Sequence, residues 1–506
     1  MKLRGIKTNL LFNVLGSILS LLVTLVTLPL YISYIGEARY GLLVIVWRLL
    51  GYFGFLDLGL SRASANALAK LGDPSMRAAR EKVLVTALWL NLTFGTLGGL
   101  LFYFTGIFFI DHLLSVPPDL KPEIEASFPW IACSLPFALV SGIGTGALES
   151  RERFLIANML TVGSSVFGLV LPVICAVLIS PSLAAVIPAA VIARGLSVLF
   201  SLIFALREER PLNPRSFDRQ RCKSLLSYGG WISVSGIIGP LLGSVDQLMI
   251  GAVLGLAAVT HYSIPMSLVV RSQILAWALS RTLFPRLSRI TREEANDLVD
   301  KAIVTLGYAY GGICAAAMVF ITPFFVFWMG KEFAFVSSPI AELLLTGAWI
   351  NGFAITLFAL LQGQGRPDIV AKLHTIEILP YVAVLWLLMN FFGLMGAAAA
   401  WTFMVTAEAV VLFLLARGRP APLLQLIPVL LIILASYLYA NLWTATPARA
   451  LLEGILLSFA TGVCALLFDP STRAFVFSLR LPEPLRLAGL TGLIYTRSKK
   501  PTARNP

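Results

Sequence analysis

Fourteen apolar segments, each long enough to cross a lipid bilayer, constrain the fold of this chain more than any other feature. A helix rises about 1.5 Å per residue, so about 20 apolar residues cover the hydrocarbon layer of a membrane. The sequence lacks the alternating pattern of a membrane β-barrel. Because 58% of the 506 residues are hydrophobic and only 13% are charged, we expect an all-α integral membrane protein with about 14 transmembrane helices.

The predicted spans divide into two sets of six and a final pair. They cover residues 9–34, 40–60, 83–110, 128–148, 155–179 and 183–206, then 225–253, 260–283, 302–328, 340–361, 369–389 and 394–416, and finally 423–443 and 451–468. We therefore predict a first lobe (1–206), a cytoplasmic linker (207–224), a second lobe (225–416), two extra helices (417–468) and a basic cytoplasmic tail (469–506).

The two halves show a faint repeat. A glycine in a short outer loop, Gly36 or Gly255, precedes a span that carries an arginine, Arg48 or Arg271. Six spans per half give both halves the same orientation, so the repeat would be parallel about an axis along the membrane normal. We expect two six-helix lobes around a central cavity that binds the substrate.

Most of the 39 basic residues fall in segments that this topology places on one side of the membrane. The positive-inside rule then places both chain termini in the cytoplasm. The net charge of +13 is explained by this topology and by attraction to anionic membrane lipids, so nucleic acid is not an expected partner. The cysteines and histidines show no metal-ligand spacing, and no phosphate-binding loop is present, so the sequence predicts neither a metal site nor a cofactor.

Three arginines, Arg48, Arg194 and Arg271, fall near the middle of predicted spans. A guanidinium there costs on the order of 3 kcal/mol, so it needs a polar partner, a water-filled cavity or an anionic substrate. Arginine binds phosphate through paired donors. We therefore predict that these three residues bind a pyrophosphate in the cavity, with a structural ion pair as the alternative for each.

Four acidic residues also lie within spans: Asp246, Glu342, Glu377 and Glu408. Buried carboxylates can take up a proton or a cation from a gradient. They are therefore candidates for coupling transport to H⁺ or Na⁺. The alternative is that they neutralise the arginines.

Asp57 is the acidic residue nearest to Arg48 in the same predicted span. At about 100° per residue, Arg48 and Arg62 lie within about 40° of each other and Asp57 lies on the opposite face. Asp57 is therefore expected to fix the inner end of its own span, near Arg62, unless Gly54 or Gly59 bends the helix. We consider Asp57 and Arg62 structural or gating polar residues.

Short motifs in the first half of the chain resemble a known family. They are Pro29-Leu30-Tyr31, Ile35-Gly36-Glu37, Tyr40-Gly41-Leu42 and Asp57-Leu58-Gly59-Leu60. In the second half the matching stretches are Ser244-Val245-Asp246-Gln247, Ile250-Gly251, Leu254-Gly255, Tyr262 and Phe284-Pro285-Arg286-Leu287. In order and spacing they resemble the polysaccharide transporter family, which contains O-antigen and exopolysaccharide flippases of the multidrug/oligosaccharidyl-lipid/polysaccharide (MOP) exporter superfamily.

The resemblance implies alternating access by two six-helix lobes in the bacterial inner membrane. The implied substrate is an undecaprenyl-pyrophosphate-linked oligosaccharide that moves from the cytoplasmic to the periplasmic leaflet, with membrane lipids as further partners. The chain also resembles the peptidoglycan-precursor flippase, whose cavity arginines on the second and eighth helices imply a similar role for Arg48 and Arg271. The first predicted span lacks a basic residue, however, which weakens the case for a peptidoglycan substrate.

Two alternatives come from other kinds of protein. A cation-coupled multidrug exporter of the same superfamily is disfavoured by a cationic cavity. A membrane glycan polymerase or transferase would need acid/base groups on a sizeable loop, and the outer loop near residues 111–125 is short. The sequence therefore predicts a transporter without catalytic residues rather than an enzyme.

Overall fold

The computed structural model describes residues 3–71, 76–112, 114, 116–209, 213–223, 225–226, 243–416, 424–442 and 446–473. The first unit of helices comprises α1 (Leu3–Ile35), α2 (Glu37–Phe53), a 3₁₀ turn (Gly54–Asp57), α3 (Leu60–Lys70), α4 (Arg77–His112), α5 (Lys121–Ser150), α6 (Phe154–Leu178), α7 (Leu183–Glu209) and α8 (Val245–Val253). The remaining helices are α9 (Leu256–Ser272), α10 (Ile274–Leu287), α11 (Arg292–Met329), α12 (Lys331–Gly363), α13 (Pro367–Ala416), α14 (Ile427–Leu442) and α15 (Pro447–Phe468).

The predicted helical membrane fold is confirmed in the described part of the chain. Ten helices there are long and apolar enough to cross a membrane, and α14 is a shorter apolar helix. Helix α13 has 50 residues and covers two predicted spans, which meet at Gly393 with a φ of 56°. Most of the predicted seventh span, residues 227–242, and the tail from residue 474 onward lie outside the described residues.

The chain forms two compact units, Met1–Ser263 and Ile264–Pro506. Helix α8 and the first part of α9 therefore belong to the first unit. The division that we predict at residues 207–224 stays a prediction. Part of the core of the first unit lies where α3 packs against α4 and α5, around buried side chains such as Leu60, Val83 and Ile143.

Helices α2 and α9 begin in the same way. Each has 17 residues and follows a glycine with a positive φ, 80° at Gly36 and 90° at Gly255. Glycine adopts this conformation at little steric cost, so it allows a short break between helices, of one residue at Gly36 and of two at Leu254 and Gly255. The predicted repeat thus has a local structural counterpart at these two positions.

The second and eighth predicted spans are each interrupted. After α2, Leu58 and Gly59 take φ values of 46° and 66°, and α3 then starts in a new direction. The face angle that we predict between Arg48 and Arg62 is therefore wrong, because the helical period does not continue through this turn. In the second case, Gln273 separates α9 from α10 and donates a side-chain hydrogen bond to the carbonyl of Ala348 at 3.4 Å.

Part of the predicted linker is described and is held by hydrogen bonds to α4. Glu81 accepts a bond from the backbone N–H of Asn213 at 2.7 Å, and Thr86 Oγ1 accepts one from the backbone N–H of Asp218 at 3.0 Å. Asp218 accepts hydrogen bonds from the backbone N–H groups of Arg221 and Gln220, and the pair lowers the pKa of its carboxyl. Lys82 lies 3.4 Å from the same carboxylate. The linker therefore has a defined attachment to the first unit.

Candidate functional site

A polar cavity of about 310 Å³ lies inside the first unit. Its lining includes Trp47 from α2, Asp57 from the 3₁₀ turn, Ser134 from α5 and Arg194 from α7. Arg194 is half-buried, and its guanidinium has no hydrogen-bond or ion-pair partner among the described residues. A cation left without a partner in a cavity is suited to bind an anion.

Asp57 lies in this cavity but serves mainly local structure. Its Oδ1 accepts hydrogen bonds from the Ser61 hydroxyl at 2.7 Å and from Asn91 Nδ2 at 3.1 Å. Its other described bonds come from the backbone N–H of Ser61 at the start of α3. Arg62 is exposed and is not among these partners. Asp57 therefore holds the start of α3 through Ser61, and the expectation that it lies near Arg62 stays a prediction.

Arg48 is exposed near the C-terminal part of α2, and no described residue forms a hydrogen bond with its guanidinium. Its charge nevertheless acts on Asp246, which is 2% exposed and accepts a hydrogen bond from the Tyr262 hydroxyl at 2.8 Å. Asp246 also accepts a bond from the backbone N–H of Gln247. These contacts hold the Asp246 carboxylate in place and leave the Arg48 guanidinium accessible.

The N-terminal end of α2 is attached to α9 and α5. Thr260 donates to the Glu37 carbonyl at 2.7 Å, and His261 Nε2 lies 3.1 Å from a Glu37 carboxylate oxygen. At Gly41, a Cβ atom would lie only 1.8 Å from the Leu256 carbonyl oxygen, so the two backbones touch. Arg39 binds Glu123 with both Nε and Nη2, at 2.9 and 2.6 Å.

The predicted arginine of the second unit occupies a different position in its helix. Arg48 follows Gly36 by 12 residues, whereas Arg271 follows Gly255 by 16. The two arginines thus differ by about one helical turn in depth when each is counted from the start of its own helix. Arg271 is exposed, in the last turn of α9.

Glu342 is a buried carboxylate of α12 in the second unit. It is 1% exposed and accepts hydrogen bonds from Thr322 at 3.2 Å and from Asn441 at 2.8 Å. Both described donors to its carboxylate oxygens are neutral, and no described arginine binds them. The alternative that Glu342 neutralises an arginine finds no support in these contacts.

A cluster of three titratable side chains lies on α13. The bend at Gly393 places the two arms of this helix side by side, so that His374 Nε2 lies 3.0 Å from Glu408 Oε1. Glu377, one turn beyond His374, approaches the same nitrogen at 4.0 Å. The nearest ligand atoms all lie within 4.8 Å of one another, close enough to hold a cation.

His374 is the residue of this cluster that the sequence analysis missed. The spacing of the histidines shows no metal motif, because Glu408 is 34 residues away and is brought close only by the bend. Two signals were available in the sequence: His374 and Glu377 share one helix face, and Gly393 lies midway between His374 and Glu408. The prediction that the chain has no metal site stays a prediction, because the cluster shows only that three possible ligand groups lie close together.

The first comparison with known proteins concerns a sequence family. The family described as "Polysaccharide biosynthesis protein" matches residues 6–291, more than half of the chain. A protein named "Putative O-antigen transporter" from Shigella flexneri is 27% identical over 407 residues, which cover 80% of this chain and 96% of that protein.

Two solved structures share the fold. "Lipid II flippase MurJ, inward closed conformation" aligns with a TM-score of 0.73 at 14% identity and covers 91% of this chain and 98% of the other. An inward-facing multidrug resistance MATE family transporter of the MOP superfamily aligns with a TM-score of 0.64 at 18% identity, covering 79% and 94%. The fold is therefore that of MOP transporters, and the chain is a multi-pass membrane protein.

Proposed function

Because this chain belongs to the polysaccharide biosynthesis protein family, we propose that it is a flippase for a lipid-linked oligosaccharide. The substrate is an undecaprenyl-pyrophosphate-linked glycan, which the protein moves from the cytoplasmic to the periplasmic leaflet of a bacterial inner membrane. Both chain termini lie in the cytoplasm in this proposal. Movement follows alternating access by the two lobes, without catalytic residues or a cofactor.

The observation that carries the proposal is the pair of arginines in the first unit without a hydrogen-bond partner among the described residues. Arg194 lines the polar cavity, and Arg48 is exposed on α2. Each guanidinium can bind two phosphate oxygens, which matches a pyrophosphate better than a neutral or cationic solute. Arg271 of the second unit is a further proposed pyrophosphate ligand.

The same arginines argue against a cation-coupled exporter of cationic drugs. Such a substrate would be repelled by uncompensated positive charge. A peptidoglycan precursor also carries a pyrophosphate, so these arginines alone do not distinguish it from other lipid-linked glycans. The curated relative from Shigella flexneri is named as an O-antigen transporter, which favours a polysaccharide repeat unit.

The acidic residues of the second unit supply the proposed energy coupling. His374, Glu377 and Glu408 form one cluster that can hold a proton or Na⁺, and a cation gradient would then drive a change in its occupancy. Glu342 of the second unit and Asp246 of the first unit remain secondary candidates, since hydrogen-bond donors already satisfy their oxygens.

The test is reconstitution of the full chain in liposomes with defined polyprenyl-pyrophosphate glycans. We expect the labelled lipid to exchange between leaflets faster than in protein-free liposomes, and an imposed proton or Na⁺ gradient to change the rate. A parallel test expresses the protein in a bacterial strain that lacks its own O-antigen flippase. We expect polymer export to be restored. Absence of exchange across a panel of glycans, together with absence of export, would overturn the proposal.

A further inference from the structure

Trp47 separates two cavities of the first unit. It lines the polar cavity of 310 Å³ and also a smaller one of 130 Å³. Tyr31 and Tyr40 line the smaller cavity as well, with ring centroids 6.0 Å apart. Trp47 thus borders both cavities, and two further aromatic rings border the smaller one.

The position of Trp47 in the span is unusual for tryptophan. It follows Glu37 by ten residues, or about 15 Å along α2, which is near the middle of a membrane-spanning helix. Tryptophan concentrates instead at membrane interfaces, where its ring is buried and its N–H is hydrated. Trp47 is half-buried, and no described residue accepts a hydrogen bond from its indole N–H. Both the ring face and the N–H are available to a ligand.

The polar groups beside Trp47 include both donors and acceptors. Arg194 offers donors only, whereas Asp57 offers acceptors. The Asp57 Oδ2 atom has one described hydrogen bond, a 3.3 Å contact from the Ser61 backbone N–H, so it retains capacity for another donor. In the smaller cavity, the hydroxyls of Thr24 and Thr27 donate to their own helix and can each accept a bond.

A sugar ring attached to a phosphate fits this combination of groups. Its C–H faces pack on aromatic rings, its hydroxyls both donate and accept, and the phosphate needs cationic donors. The larger apolar cavity of the first unit, about 560 Å³, also has aromatic residues, Trp89 and Phe137, but no charged or hydroxyl side chain lines it. The polar lining near Trp47 is therefore a specific feature of that location.

We infer that Trp47 and Arg194 form a subsite for the sugar nearest to the pyrophosphate, with Trp47 as the stacking surface. The inference rests on the proposed flippase function. It adds that the cavity binds the first sugar of the glycan as well as the phosphate. A volume of 310 Å³ lies at the lower end of the range of about 300–1,000 Å³ for small-molecule sites. The subsite therefore holds one sugar and its phosphate, and the rest of the glycan lies outside it.

The experiment compares two lipids in liposomes that contain the full-length protein. One is undecaprenyl pyrophosphate without sugar, and the other carries a single N-acetylhexosamine on the same pyrophosphate. The variants are Trp47→Ala, Trp47→Phe and Arg194→Gln. The control is Trp130→Ala, which removes an exposed tryptophan of α5 in the same unit.

We expect Trp47→Ala to lower the ratio of glycolipid exchange to sugar-free exchange by about three- to tenfold, the effect of a lost aromatic contact. Trp47→Phe should restore most of that ratio, and Arg194→Gln should slow both lipids while leaving the ratio near that of the wild type. Trp130→Ala should leave the ratio unchanged.

An unchanged ratio in Trp47→Ala would overturn the sugar subsite and leave the flippase proposal intact. The sugar subsite would also be overturned if Trp47→Phe and Trp47→Ala both slow the exchange of the two lipids equally. Trp47 would then support only the fold of the protein. If the wild-type protein moves neither lipid, the proposed function fails, and the subsite fails with it.

Discussion

In the first unit, Arg48 and Arg194 have no described hydrogen-bond partner, whereas in the second unit His374, Glu377 and Glu408 lie against one another. Uncompensated guanidinium groups within membrane-spanning helices are unfavourable until an anion binds. The acidic cluster needs a proton or a cation between its carboxylates, because two neighbouring negative charges repel each other. The sign of the charge thus favours different ligands at these two places, an anion at Arg48 and Arg194 and a proton or cation at the cluster on α13.

In the flippase that we propose, this contrast separates the binding of the substrate's pyrophosphate from the binding of the ion that drives transport. An anion would neutralise the two arginines and would be repelled by the carboxylates of the cluster, whereas a cation would be repelled by the arginines. A single mixed site would instead allow the substrate phosphate and the cation to neutralise each other without driving transport.

Replacing the arginines of the first unit should have the largest effect. Arg194→Ala or Arg48→Ala removes a charged bond to phosphate, a loss of about 2–5 kcal/mol when the group is desolvated. We expect polymer export to fall by at least about 30-fold. Export is measured in the flippase-deficient strain, with protein amount and melting temperature of the purified protein as checks on folding.

The matched control is Arg215→Ala, which removes an exposed arginine in the linker. Its export should stay within about twofold of the wild type, since exposed charges contribute little. Unchanged export in both Arg48→Ala and Arg194→Ala would contradict the assignment of the anion to the first unit.

The next effect concerns the acidic cluster. Glu377→Gln or Glu408→Gln removes one carboxylate charge, so the cluster no longer changes occupancy with the gradient. We expect the gradient-dependent part of liposome exchange to disappear, while exchange without a gradient persists. Glu332→Gln, which changes an exposed residue of α12, should keep the gradient response. Loss of gradient-free exchange in the cluster variants would show that the cluster also binds the substrate.

Much of the fold could be predicted from the sequence because apolar length fixes membrane helices directly. The breaks within spans could not, since they depend on single residues. Leu58 takes a left-handed conformation that its side chain does not favour, and Gln273 interrupts a helix without proline or glycine. Gly393, by contrast, marks a bend at the expected boundary between two spans.

Of the candidate sites, only the charged residues could be predicted from the sequence, and not their contacts. The sequence indicates Arg194, Glu377 and Glu408 because ionisable residues within a span are costly. It does not show that His374 lies against Glu408, since a contact across 34 residues depends on how α13 bends. It also gives no reason to single out Trp47, because an aromatic residue in a membrane span is unremarkable until the cavities beside it are known.

A smaller effect is expected where α2 touches α9. Gly41→Ala would place a methyl group 1.8 Å from the Leu256 carbonyl oxygen, so the helices must separate at a cost of about 1–3 kcal/mol. We expect a lower melting temperature and a weaker export defect than that of Arg48→Ala. Gly163→Ala in α6 is the control, because a Cβ at Gly163 meets nothing within 4 Å. An unchanged melting temperature in Gly41→Ala would mean that this contact does not hold α2 in place.

The smallest effect should come from Asp57→Asn. The substitution keeps an acceptor for Ser61 and Asn91 but removes the charge that strengthens those bonds. Bonds to a charged acceptor exceed neutral ones by about 1 kcal/mol, so we expect a slightly lower melting temperature and nearly normal export. The negative charge beside Arg194 is also lost, which should favour an anion in the cavity and raise affinity for undecaprenyl pyrophosphate modestly. A loss of export as large as that of Arg194→Ala would show instead that the Asp57 carboxylate itself binds the substrate.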